Sequence, residues 1–369
     1  MHSRREFLRS GLVFSTGIGF GLAESFAVSP ATERLDRNKL LTYRDASGAV
    51  RPVKSVRDWE RRRTEIVAGM ESVMGVFPGK GNRCPLDMKV EEDVDMGSYV
   101  RRLITYSADT SSRTPAYLLM PKEALLGKKR VRAVLCLHPT DNVNGHKVVV
   151  GLGGKANRQY AQELAERGFV TLAPAYPLLA NFQPDLKIGG YESGTMKAIW
   201  DNVRGLDLLE TLPFVKKGGF GVIGHSLGGH NSLYTAVFEP RLKVVVSSCG
   251  LDSFLDYYDG NPKVWEPGKG WTQERYMPRL ASYAGRLAEI PFDFHELIGA
   301  LAPRPCFINA PLKDGNFRWQ SVDRIVEAAR PVYRLYGRAD RLAVEHPDSE
   351  HDFPDAMRER AYELMKRYL

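Results

Sequence analysis

Apolar residues recur at steps of three and four between Val56 and Met74, through Trp59, Ile66, Val67, Met70 and Val73. That spacing predicts an amphipathic helix, with Ser55 as its N-cap and Pro78-Gly79 as its stop. Arg61 to Arg63 fall mostly off the apolar stripe and read as a solvated helix face. Residues 28–54, ahead of the helix, are polar and mixed and read as an extended arm. Behind it, β-like segments at 86–94, 99–107 and 115–120 are separated by turn residues and predict antiparallel strands. From Val131 the pattern changes. Short, continuous apolar runs at 133–137, 169–173, 220–223, 242–247, 306–309 and 342–345 alternate with helical stretches at 157–167, 195–212, 230–237, 321–329 and 355–368. Strands that are apolar on both sides need helices on both faces. The expected class is therefore α/β, a mostly parallel, doubly wound sheet. Residues 251–300 are longer than a simple crossover needs. Counting core strands from Tyr99, they form an insertion between the sixth and the seventh.

Composition narrows the picture modestly. Of 369 residues, 43% are apolar and 26% charged, which excludes a disordered or collagen-like chain. Four Cys exclude a disulfide scaffold. Cys136 and Cys306 fall inside core strands, so buried thiols are expected, and no spacing fits a zinc site. The net charge of +8 has no clustered, aromatic-interleaved patch behind it, so no nucleic-acid partner is expected. The first residues carry Arg4-Arg5, then Phe7-Leu8, a Gly-rich apolar stretch to Ala23, and Ser25-Phe26-Ala27. This resembles a twin-arginine export signal cleaved after Ala27. The stretch is too short and too rich in Gly for a stable membrane anchor. The expected organisation is a leader at 1–27, an arm, helix and accessory strand at 28–98, and a main domain at 99–369. The expected location is the periplasm or the exterior, reached through the twin-arginine machinery.

The chemistry concentrates at Gly224-His225-Ser226-Leu227-Gly228-Gly229-His230. It holds Gly-x-Ser-x-Gly directly after an apolar strand and directly before a helix, the setting of a nucleophile elbow. Gly224 and Gly228 suit a turn in which strand and helix backbones nearly touch. A Ser nucleophile needs a base, and the base needs an acid to orient it. His351 lies on the loop after the last strand and is the expected base, with His346 as its rival. Asp314 follows the strand before that one and is the expected acid, with Asp252 and Asp340 as rivals. The backbone N–H of Leu227 offers one oxyanion donor, and Thr140, in the loop His138-Pro139-Thr140-Asp141, offers a second. His138 reads as structural, packed under that loop. Trp265, Trp271 and Tyr276 of the insertion are candidates for contacting substrate, and filling the insertion's own core is the alternative.

These residues resemble the α/β-hydrolase superfamily. Within it they look like the dienelactone-hydrolase-like and acetylxylan-esterase-like bacterial carboxylesterases. The stretches that carry the resemblance are the Ser226 motif, Ala302-Pro303-Arg304-Pro305 leading to Asp314, and His351-Asp352-Phe353-Pro354. It implies a Ser226–His351–Asp314 triad, no metal or organic cofactor, and hydrolysis of an ester. Export and the aromatic insertion suit an acylated carbohydrate as substrate, a small molecule or a polysaccharide. A serine peptidase on the same triad, or a non-catalytic carbohydrate-binding protein on the same fold, are the rival expectations.

Overall fold

The computed structural model describes residues 34–127 and 130–369. The expected leader, with its Ala27 cleavage point, lies outside the described residues. The arm is not simply extended. Its strands β1 (Thr42–Arg44) and β2 (Val50–Pro52) pair antiparallel as a hairpin. Helix α1 (Val56–Met74) follows, and Ser55 caps it by accepting the Asp58 N–H. It stops at Gly75, three residues before the expected Pro78, because Gly75 turns left-handed at φ 92°. The Arg61–Arg63 reading needs correction. Arg62 is 3% exposed and pairs with Glu296, while Arg63 donates to the carbonyls of Val237 and Ala300.

Next come β3 (Lys89–Asp95), β4 (Tyr99–Ser107), β5 (Arg113–Pro121), the short α2 (Lys122–Leu125), β6 (Ala133–Leu137), α3 (Tyr160–Glu166) and β7 (Val170–Pro174). They are followed by α4 (Gly194–Thr211), β8 (Phe220–His225), α5 (Leu227–Phe238), β9 (Leu242–Ser248) and α6 (Phe294–Leu301). The chain ends with β10 (Cys306–Asn309), α7 (Trp319–Leu335), β11 (Leu342–Glu345) and α8 (Asp355–Tyr368). Nine strands form one sheet in the order β11-β10-β9-β8-β6-β7-β5-β4-β3. The six from β11 to β7 run parallel, and β5, β4 and β3 alternate antiparallel.

Alternation along the parallel strands divides the core. Ala133, Leu135, Val222, Val245 and Ile308 face one layer, packed under α1, α4, α5, α6 and α7. Val134, Cys136, Ile223, Val244, Val246 and Phe307 face the other, under α3 and α8. Because six neighbours run parallel, the loops after β6, β7, β8, β9, β10 and β11 all emerge at one end of the sheet. Those loops bring together residues far apart in sequence. Between β9 and α6 the insertion is built mainly of short 3-10 turns around Phe254, Trp265, Trp271 and Phe292. Among the described residues, no helix is long and apolar enough to cross a membrane.

Candidate active site

Ser226 stands between β8 and α5 at φ 54°, ψ −120°, a left-handed conformation that a residue with a Cβ holds only when its surroundings force it. The neighbours supply that force. The Ser226 N–H donates to the Ser248 carbonyl at 2.7 Å, and its carbonyl accepts the His230 N–H at 2.9 Å. A Cβ on Gly224 would meet the Gly228 carbonyl at 2.2 Å, and one on Gly228 would meet the Leu137 oxygen at 1.8 Å. Only glycine lets β8, α5 and β6 converge this closely. Leu227 is the first residue of α5, so its N–H has no acceptor within the helix and points with the positive end of the helix dipole.

His351 and Asp314 meet although 37 residues separate them. The His351 Nδ1 lies 2.9 Å from both carboxylate oxygens of Asp314. The Asp314 side chain is only 2% exposed and also accepts the Asn316 N–H at 2.8 Å. With Nδ1 held by the carboxylate, Nε2 is the nitrogen left to face the cleft. The loop carrying His351 is clamped from behind. Asp352 pairs with Arg158 at 2.5 Å and accepts from Asn157 at 2.7 Å, while Arg158 donates to the His351 carbonyl at 3.1 Å. Burial pushes the Asp352 carboxyl upward, but these partners outweigh it and hold it below the ordinary carboxylate range.

The rivals lie elsewhere. His346 bonds Asp323 at 2.9 Å and the Ala310 carbonyl at 2.7 Å. Asp252 accepts the Arg318 N–H at 3.1 Å, and desolvation pushes its carboxyl up to about 7. Asp340 sits in the turn Ala339–Arg341, ahead of β11 and away from the end of the sheet where the loops gather. His138 is buried. It accepts the Tyr176 N–H at Nε2, 2.9 Å, and burial pushes its imidazole down to about 4 despite the nearby Pro139 carbonyl.

Two cavities open at Ser226, and Ser226, His351 and Thr140 line both. The smaller, about 120 Å³, adds Asp141, Val148, Lys155, Arg158 and His225. The larger, about 260 Å³, is walled by Tyr257, Trp271, Tyr276 and Phe317, with His230 among its lining. Tyr257 and Trp271 stack at 3.8 Å between ring centroids, and Tyr276 reaches the Thr140 hydroxyl at 3.4 Å. The insertion's aromatic residues thus divide. Trp271 and Tyr276 face the cleft, but Trp265 does not. It is 1% exposed, edge-on to Phe254 and Trp271 in the insertion's own core, because the turns fold it beneath Tyr257. His230, which periodicity alone placed as a helix residue, is a cleft residue. The available signal was its position one turn after Ser226 and hence on the same face of α5.

All four cysteines are free thiols. Cys84 is half-buried and the others are buried. Cys249 lies beneath the site, its Sγ donating to the Asp352 carbonyl at 3.3 Å, and burial followed by the Asp314 charge raises its thiol well above the ordinary range. Among the described residues, one group of metal-ligating types comes together: Cys249, Asp314 and His351, with ligand atoms within 4.8 Å of one another. Here the His351 ring and the Asp314 carboxylate are already engaged with each other.

The strand order, the left-handed serine after β8 and the histidine after β11 decide the fold. The chain has the α/β-hydrolase fold. A family model described as fungal glucuronyl esterase matches residues 188–337, from the loop ahead of α4 through the insertion to just past α7. A glucuronoyl esterase from Solibacter usitatus superposes with a TM-score of 0.68 at 18% identity, covering 89% of this chain and 97% of that one. In sequence, the chain is 26% identical over 186 residues to 4-O-methyl-glucuronoyl methylesterase 1 of Wolfiporia cocos, covering 46% of this chain and 45% of the relative. It is also 25% identical over 154 residues to carbohydrate esterase MZ0003 from an unknown prokaryotic organism, covering 39% and 33%. The chain spans about half or less of the length of the curated relatives it matches.

Proposed function

We propose that this protein is a serine carboxylic ester hydrolase acting on carbohydrate esters through Ser226, His351 and Asp314. The observation that carries the reading is a left-handed Ser226 sharing a cleft with a His351 whose Nδ1 is held by a buried Asp314. The Ser226 Oγ attacks the ester carbonyl carbon while its proton passes to His351 Nε2. The charge that develops on the carbonyl oxygen is met by the N–H groups of Leu227 and Thr140. The tetrahedral intermediate collapses, the C–O bond to the alcohol breaks, and the imidazolium returns its proton to the leaving oxygen. Water, deprotonated by His351, then cleaves the acyl-serine and restores the enzyme. Asp314 keeps the imidazole in one tautomer throughout and stabilises its cationic form.

The glucuronyl esterase match over 188–337, together with the methylesterase relative, supports a carbohydrate in the acyl half: a uronic acid whose own carboxyl is esterified. An acetylated sugar places the carbohydrate in the alcohol half instead. Purified protein given a glucuronate methyl ester, an acetylated xyloside and an aminoacyl amide separates the readings. Methanol release from the first is expected to dominate, and Ser226→Ala is expected to lower it by at least about 10³-fold. Faster acetate release would reverse the halves, and amide cleavage alone would make the protein a peptidase. A fluorophosphonate adduct absent from Ser226 would refute the nucleophile. The Arg4-Arg5 leader supports export of the folded enzyme. Fractionation of a cell expressing the full chain, against an Arg4→Lys/Arg5→Lys variant retained inside, tests it.

A further inference from the structure

His230 is 2% exposed, and neither of its ring nitrogens has a hydrogen-bond partner among the described residues. Buried imidazoles are ordinarily satisfied, because leaving a buried polar group unpaired is costly. Aromatic rings fix this one in place. Tyr234 stacks on it at 4.4 Å, Trp271 lies at 5.6 Å, and Tyr276 stands edge-on at 5.8 Å. It lies on α5 one turn beyond Ser226 and lines the same cleft as Ser226, Trp271 and Phe317.

We infer that His230 is a specificity-determining residue that hydrogen-bonds a ring hydroxyl of the substrate, selecting a neutral, hydroxylated pyranose over an apolar ring of the same size. The inference rests on the proposed ester hydrolysis and adds to it the group that is recognised. Geometry provides the two halves of such a site. The aromatic side chains of Tyr257, Trp271, Tyr276 and Phe317 that wall the cleft suit the C–H face of a sugar ring, and a buried polar group beside them suits its hydroxyls. Burial pushes the His230 imidazole down to about 3, so it stays neutral and offers one N–H donor and one nitrogen acceptor. A hydroxyl matches that pair, whereas a carboxylate could use only the donor.

The test compares the methyl ester of a methyl glucuronoside with methyl cyclohexanecarboxylate, the same six-membered ring without hydroxyls. The readout is the ratio of their kcat/KM values. His230→Phe keeps a flat ring in the aromatic nest and removes both nitrogens. It is expected to lower the ratio on the order of tenfold, mainly through KM of the sugar ester. His230→Asn restores a donor and an acceptor and is expected to recover part of the loss. His146→Leu removes another buried, unpartnered imidazole that lines neither cavity at Ser226, and should leave the ratio unchanged. Should the Phe variant fail to fold, judged by its thermal transition, His230→Leu gives the same reading. A ratio unmoved in the folded variant overturns the inference. Binding separates it from the esterase reading. If the wild-type chain hydrolyses neither ester, calorimetry on Ser226→Ala with the glucuronoside ester decides. Weaker binding on adding His230→Phe keeps the recognition and discards the esterase, and no binding, or equal binding, discards the recognition too.

Discussion

At the scale of single residues, the site depends on atoms that are missing as much as on those present. A methyl group at position 228 would lie 1.8 Å from the Leu137 carbonyl oxygen, a backbone atom that cannot swing aside. Gly228→Ala is therefore expected to destabilise the fold by about 3 kcal/mol or more, or to prevent folding. Gly79→Ala, with nothing within 4 Å of the added carbon, should stay within about 0.5 kcal/mol of wild type. Urea midpoints of the two variants check this, and equal midpoints would refute the steric account of the elbow. Asp252 gives a prediction of opposite sign. Desolvation raises its carboxyl to about 7, so the folded state keeps a proton that the unfolded chain releases near its reference of about 3.9. The proton-linked stability is complete below about pH 4 and is lost as pH rises through 7. Asp252→Asn should thus gain on wild type by about 2–3 kcal/mol between pH 5 and pH 8. Denaturation curves that stay parallel across that range would show the raised carboxyl to be wrong.

At the scale of elements, strands and helices with a strong period were legible in the sequence, and so was the serine motif between β8 and α5. Ser226, His351 and Asp314 could be named because the order of strands fixes which loops share an end of the sheet. What stayed hidden depended on packing. The fate of Trp265 against Trp271 follows from how 3-10 turns fold, which no periodicity encodes. Arg62 looked solvated because a charge on a helix usually is, and only its buried partner Glu296, 234 residues away, draws it inward. Helix α6 was not legible because its 8 residues make little more than two turns, too few for an apolar stripe to stand out from the turns around it. The loop after β11 shows how one element positions another. Arg158 is 6% exposed and holds Asp352, the neighbour of His351. Removing either partner leaves a charge short of its mate and frees the loop. Arg158→Met and Asp352→Asn are each expected to lower kcat about tenfold. The double variant should fall no further, giving a coupling of about 1–2 kcal/mol. Additive losses would mean that the two residues act separately.

At the scale of the described residues as a whole, the arm and the insertion are joined through two buried carboxylates. Asp293 caps α6, accepts the Ser253 hydroxyl at 2.8 Å from the start of the insertion, and pairs with Arg37 of the arm. Glu296, one turn on, pairs with Arg34 of the arm at 2.7 Å and with Arg62 of α1 at 3.3 Å. Both carboxylates are fully buried, so their stability depends on arginines supplied from more than 200 residues away. A burial this complete is tolerable only while the charges stay paired. A chain beginning at residue 55 loses Arg34 and Arg37, along with Leu40, Tyr43 and Val53 from the core. It should be less stable than a chain beginning at residue 28 by at least about 3–5 kcal/mol. The damage should concentrate in the insertion, whose entry and exit meet at Asp293. Limited proteolysis is expected to cut the shortened chain first between 251 and 293, while the longer chain resists there. Hydrolysis of the glucuronoside ester should fall further than reaction of Ser226 with a fluorophosphonate, because Trp271 and Tyr276 belong to the loosened wall while Ser226 stays on the sheet. Matching midpoints and cleavage patterns in the two chains would mean that the arm lies on the insertion without holding it.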